Sequence, residues 1–157
     1  IIRGKTASLL SSACAAGAYS TSNNEAITAQ MKLFGEKVGI AFQIKDDLFD
    51  YGKDNIGKPT GNDIKEKKLT LPLIYTMNTV SAKTRRELVY IIKNENKDPK
   101  RIKFVIDAVT EAGGIRYANE KMNRYRDEAL AILHTYTDGP VRNALEELVR
   151  FTTDRKY

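Results

Sequence analysis

The sequence predicts an all-α fold, and three observations carry that prediction. Apolar residues recur at spacings of three and four through several long windows. No stretch alternates with period two for long, so nothing reads as a half-buried strand. The windows are separated by clusters of Ser, Asn, Asp, Gly and Pro, the residues that turn a chain. With 157 residues, 41% of them hydrophobic, the chain can bury a sizeable core, and residues 1–157 read as one all-helical segment.

Lys5 to Tyr19 is rich in Ala, Leu and Ser with only Gly17 to weaken a helix, and Ser20 to Asn24 supplies turn and cap residues. A second, long helix begins at Glu25 and runs through Ala26, Ile27, Met31, Leu33, Phe34, Val38 and Ile40 to an end near Tyr51-Gly52. Lys53 to Asp63, dense in Gly, Asn, Asp and Lys, reads as an ordered loop. Leu69 to Tyr75 opens another apolar helix, with Pro72 tolerated in its first turn. Ser81 caps a helix to Asn94, and Asn96-Lys97-Asp98-Pro99 breaks it. Ile102, Val105, Ile106 and Val109 mark the next helix as far as Gly113-Gly114, and Ile115 to Leu133 a long amphipathic one. Asp138-Gly139-Pro140 turns the chain into a last helix, Pro140 to Asp154.

Formal charge is +6, with the 26 basic residues spread along the chain. That balance suits a polyanionic partner, nucleic acid or diphosphate alike, and equally a plain solvated surface. Cys14 is the single cysteine, so no intramolecular disulfide can form, which is compatible with a reducing, cytoplasmic setting. The most apolar early run, Ala7 to Ala18, is too short and too interrupted by Ser to span a bilayer. The opening Ile1-Ile2-Arg3-Gly4 carries no initiator Met, which points to a piece of something longer.

The segment Phe42-Gln43-Ile44-Lys45-Asp46-Asp47-Leu48-Phe49-Asp50 places three carboxylates inside an apolar stretch. At about 100° per residue, with Asp46 at zero, Asp50 falls at about 40°, Gln43 at about 60° and Asp47 at about 100°. The acids share one narrow face, and Gly35 and Gly39 fall close to it. Carboxylates packed this closely raise one another's pKa unless a positive charge stands before them. Oxygen ligands without His or Cys suit Mg²⁺ or Mn²⁺ rather than zinc. The plainer reading, an exposed acidic turn, is disfavoured by the apolar surroundings. Lys45 has no derivable role and reads as a snorkelling side chain; His134 reads as structural, and Arg155 and Lys156 as disordered tail.

Taken in order, Lys5-Thr6, Phe42-Gln43-x-x-Asp46-Asp47-x-x-Asp50, Gly57-Lys58-x-x-Gly61-x-Asp63-Ile64 and Lys68-x-Thr70-Leu71-Pro72-Leu73 resemble the trans-prenyltransferases, the polyprenyl diphosphate synthases. The Leu-Phe inside the acidic motif, Tyr51 after it and the later Thr-Leu-Pro-Leu resemble the bacterial medium- and long-chain, octaprenyl-type enzymes. The resemblance implies the helical bundle of the isoprenoid synthases, of which this chain is the C-terminal half. It implies that Asp46, Asp47 and Asp50 hold Mg²⁺ against the diphosphate of an allylic substrate. Lys5, Lys58 and Lys68 match diphosphate-contacting lysines, and Thr6, Gln43 and Asp63 match polar positions of the same pocket. The implied catalytic set is Asp46, Asp47, Lys5 and Lys58. Each lysine taken alone is more often a solvated cation; their joint spacing points to the shared role.

The family's first acidic motif, its paired arginines and its isopentenyl diphosphate segment match nothing here, so the chain alone is expected to be inactive. Its partners would be the missing N-terminal half, allylic and isopentenyl diphosphates, and further copies of itself, since a half-bundle exposes apolar surface. Alternatives are a non-catalytic or complementary subunit of a heteromeric synthase, and a basic helical nucleic-acid binder. The acidic stripe, which repels phosphate unless metal-loaded, disfavours nucleic acid. A terpene cyclase is disfavoured because the expected Asn- and Ser-bearing metal motif is absent from the sequence.

Overall fold

The computed structural model describes residues 6–52 and 60–155. Among the described residues there are eight helices and no strand: α1 Thr6–Ser22, α2 Glu25–Phe49, α3 Asn62–Lys65, α4 Leu71–Thr79, α5 Ala82–Asn94, α6 Pro99–Glu111, α7 Gly114–Leu133 and α8 Pro140–Asp154. The all-α expectation is therefore met. Lys5, Lys58, Lys156 and most of the loop expected after Gly52 lie outside the described residues.

Local chemistry sets most boundaries. The Ser81 hydroxyl accepts the Thr84 amide at 3.2 Å, capping α5 as expected. Asn24 Oδ1 caps α2 by accepting from the amides of Ala26 and Ile27. The break at Asn96 to Pro99 is also a start: Asp98 caps α6, accepting the Lys100 amide at 2.8 Å, and Pro99 occupies its first turn. α1 runs to Ser22 rather than Tyr19. There the hydroxyls of Ser20, Thr21 and Ser22 donate back to the carbonyls of Gly17 and Ala18, so residues that usually stop a helix extend this one.

The chain divides into two compact units. The first holds α1, α2 up to Lys45, α7 from Lys121, and α8. Its core is Phe34, Val38, Ala129, Leu130, Leu133 and Val149, with Cys14 and Met31 packed alongside. α1 and α2 lie against each other closely enough that a Cβ on Gly39 would stand 2.6 Å from Ala7 Cα, and one on Gly35 2.5 Å from the Leu10 carbonyl oxygen. The glycines that the helical projection sets near the acidic face thus serve helix contact, and Ser11 Oγ ties the pair by donating to Lys32 O at 2.9 Å. Further along, Lys37 and Glu128 form an ion pair, and His134 Nε2 meets Glu146 at 2.8 Å, a structural link between α7 and α8.

The second unit holds the end of α2 from Asp46, then α3 to α6 and α7 as far as Glu120. Tyr51, Ile64, Leu73, Leu88, Ile91, Ile92, Ile102, Val105 and Val109 form its core. Tyr75 and Tyr117 stack with ring centroids 4.2 Å apart. Gly61 is the position where no other residue serves: its φ is +79°, and a Cβ would run into the Ile102 side chain.

No helix among the described residues is long and apolar enough to cross a membrane.

Candidate functional site

The acidic segment falls at the C-terminal end of α2. Asp47 and Asp50 are buried, at 8% and 9% exposure, and Asp46 is half-buried. Regular helix stops at Phe49. The amides of Asp50, Tyr51 and Gly52 reach carbonyls three residues back instead of four, at 3.4, 3.1 and 3.3 Å. Asp50 therefore leaves the direction that a helical projection assigns it.

Its carboxylate turns to the chain beyond the loop. Oδ1 accepts the Asn62 amide at 2.7 Å and Oδ2 the Asp63 amide at 3.0 Å, while its backbone carbonyl accepts the Gly61 amide at 3.0 Å. α3 opens on Gly61, which has no side chain to cap it, so Asp50 supplies the cap from 12 residues away. Burial, and next the charge of Asp63, push the Asp50 carboxyl above its ordinary range despite those two amides. Among the described residues, no three Asp, Glu, His or Cys side chains converge closely enough to hold an ion.

Asp63 and Lys68 are brought together: Lys68 Nζ lies 3.1 Å from Asp63 and 2.7 Å from Glu66, and its amide donates to the Asp63 carbonyl at 2.8 Å. The hydrogen bonds to Glu66 and then Asp63 hold the ammonium above its ordinary pKa, so it stays a cation, although it is 56% exposed. Behind it, the Tyr51 hydroxyl and Thr70 Oγ1 share a buried hydrogen bond of 2.6 Å. Thr70 sits at the N-cap of α4 without a side-chain cap, its hydroxyl turned to Tyr51. Burial drives the Tyr51 phenol well above its usual range, so it stays neutral.

Thr6 and Gln43 are joined in the first unit, Thr6 Oγ1 donating to Gln43 Oε1 at 2.9 Å. One reading changes there. Arg155 is no disordered tail: its guanidinium lies 4.3 Å from the centroid of the Phe42 ring, because α8 continues to Asp154 and delivers it to that aromatic face. Lys45 is half-buried, and burial, then the charge of Arg155, lower its pKa while Asp154 opposes them.

The residues fit a hard cation of limited protein ligation. Asp46 and Asp47 offer oxygen donors on a partly dry helix end, and Mg²⁺ takes only one or two carboxylates, completing its shell with water or phosphate oxygens. Asp50, each of whose oxygens accepts one amide, braces the turn that carries Asp63 and keeps lone pairs for a cation.

The helical fold is that of the prenyl synthases. A geranylgeranyl pyrophosphate synthase from Bacteroides thetaiotaomicron superimposes with a TM-score of 0.89 at 38% identity, covering 98% of this chain and 51% of that one. The chain belongs to the Polyprenyl synthetase family, whose sequence model matches residues 1–109 and so contains every motif above. It is 32% identical to solanesyl diphosphate synthase 1, chloroplastic, of Arabidopsis thaliana, over 96% of this chain and 36% of that protein. It is 30% identical to heptaprenyl diphosphate synthase component 2 of Geobacillus stearothermophilus, over 99% and 48%. The chain thus spans about a third to a half of the length of these curated relatives.

Proposed function

We propose that this chain supplies the second Asp-rich diphosphate site of a trans-prenyltransferase that condenses isopentenyl diphosphate with an allylic diphosphate to make a polyprenyl diphosphate. The end of α2 carries the reading: buried acids stand beside a braced Asp63–Lys68 pair, within the residues the family model matches. Asp46, Asp47 and Asp50 would hold Mg²⁺, or Mn²⁺ in its place; bound there, the ion would neutralise charge on the departing diphosphate.

The chain's own residues do the rest. Lys5, Lys58 and Lys68 set ammonium groups against diphosphate oxygens, where negative charge grows as the allylic carbon–oxygen bond breaks. Lys68 exchanges a carboxylate oxygen for a phosphate oxygen without changing protonation. Asp50 fixes the turn, Asp63 orients Lys68, and Thr6 and Gln43 orient one another as polar lining. The double bond of isopentenyl diphosphate then attacks the allylic cation and a proton is lost.

In the complete synthase, Asp46→Ala with Asp47→Ala is expected to cut incorporation of labelled isopentenyl diphosphate by on the order of 100-fold or more, with the helical circular dichroism unchanged. Undiminished incorporation would sink the proposal. The chain alone, given Mg²⁺ and both substrates, is expected not to elongate. A second reading is favoured by the likeness to a protein named as component 2 of a synthase: the chain acts as one subunit of a heteromeric enzyme, and co-purification of a distinct prenyl synthase subunit would decide for it. A cytoplasmic setting belongs to the same proposal, as does self-association through Leu9, Val141 and Phe151, exposed at 72%, 75% and 65%.

A further inference from the structure

We propose that a cleft between the α3–α4 turn and the α5–α6 turn binds a compact multivalent phosphate anion of the inorganic diphosphate or triphosphate class. The cleft is an open surface groove of about 810 Å³ and shares no lining residue with the acids of α2, Asp63 or Lys68. Its walls are Lys65 to Lys67 on one side and Lys93 to Asp98 on the other, all lysine, carboxylate or asparagine. An apolar ligand or a stacking base finds nothing to rest on there, so the occupant is small and charged.

Charge decides its sign. Two of the three carboxylates in the walls are ion-paired, Glu66 with Lys68 at 2.7 Å and Glu95 with Arg101, and Asp98 accepts the Lys100 amide that it caps. Among the described residues no carboxylate lies within ion-pair distance of Lys65, Lys93 or Lys97, although all three line the cleft. The dipoles of the two helices that meet here oppose each other, α5 ending and α6 beginning at the same turn. Four lysines, Lys65, Lys67, Lys93 and Lys97, against three carboxylates, Glu66, Glu95 and Asp98, leave the lining net positive.

The two turns are also held in fixed relation. Lys67 adopts a left-handed backbone, φ +57°, which is rare for a side-chain-bearing residue. That conformation lets its ammonium cross to the Lys93 carbonyl at 2.8 Å. Buried Asn96 Nδ2 donates back to the Lys65 carbonyl. The lysines consequently stand on braced backbone on both sides, the arrangement in which several ammonium groups can meet one polyphosphate at low ordering cost.

The test is titration calorimetry on the full chain in EDTA, so that Mg²⁺-dependent binding at α2 does not contribute. Inorganic triphosphate is expected to bind more tightly than diphosphate, and diphosphate more tightly than phosphate, with ATP no better than triphosphate. Lys93→Gln/Lys97→Gln, a pair of exposed positions, should weaken triphosphate at least about tenfold, the loss of one or two charge-assisted hydrogen bonds. Asp46→Asn/Asp47→Asn should leave it unchanged, which separates this cleft from the proposed catalytic site. Lys65→Gln, with an unchanged urea midpoint, guards against an effect of folding. No saturable binding, or binding indifferent to all three lysines, overturns the proposal; so does ATP binding far above triphosphate, or binding of RNA or anionic vesicles alone.

Discussion

Glu128 in the first unit and Asp50 in the second are both carboxylates with two partners, and their environments push them in opposite directions. Glu128 receives the Lys37 ammonium and the Arg124 guanidinium, and those bonds, Lys37 first, hold its carboxyl below the ordinary range. Asp50 receives two neutral amides, and burial together with the nearby charge of Asp63 lifts it above that range. The first unit spends its charges on joining helices. The second keeps Asp50 where its charge opposes folding, as at sites where the anion itself is wanted. The two carboxylates thus contribute to stability with opposite sign, and that difference can be tested.

The largest expected effect lies in the helix contact of the first unit. Gly39→Val places a branched side chain where even a Cβ would meet Ala7 Cα at 2.6 Å, and should cost about 3 kcal/mol in urea denaturation. A loss below about 1 kcal/mol would mean that α1 and α2 separate cheaply, and the contrast between the units would fail.

A smaller effect is expected at Asp50. Asp50→Ala removes both acceptors from the Asn62 and Asp63 amides and should cost about 2 kcal/mol, the penalty for polar groups left unsatisfied. Asp50→Asn keeps one carbonyl oxygen and sheds the buried charge, so its cost should be the smaller of the two. The reverse order would show that the charge, rather than the acceptor geometry, is what Asp50 provides.

How far the sequence announces these features depends on how local their causes are. Ser81, Pro140 and the run from Ile115 to Leu133 define helices by caps and spacing within a few residues, and the structure has those helices there. The acidic motif, Asp63 and Lys68 were visible through their order along the chain. The brace formed by Asp50 was not, because its partners lie 12 and 13 residues away and the helical projection assumes a helix that ends one residue earlier. α3, four residues long and capped from a distance, leaves no periodic trace. The Tyr51–Thr70 bond joins residues 19 apart, too far for any local pattern to announce it; the one local sign is a tyrosine in an apolar segment, a buried hydroxyl in need of a partner.

The smallest effect is the most direct measure of the contrast, because it concerns sign. In carbon-detected NMR of the metal-free chain, the Asp50 carboxyl should titrate above an ordinary aspartate and Glu128 below an ordinary glutamate. For Glu128, the folded value is depressed, so its stabilisation is present above the unfolded value and is lost as pH falls through the folded one. For Asp50, the folded value is raised, so its penalty is present above that folded value and is relieved as pH falls toward the unfolded one. Glu128→Gln should accordingly cost under about 1 kcal/mol at neutral pH, since the pair is partly exposed, and nothing once Glu128 is protonated. Asp50→Asn should flatten the opposite slope. If both carboxyls titrate on the same side of their ordinary values, Asp50 is held no differently from Glu128.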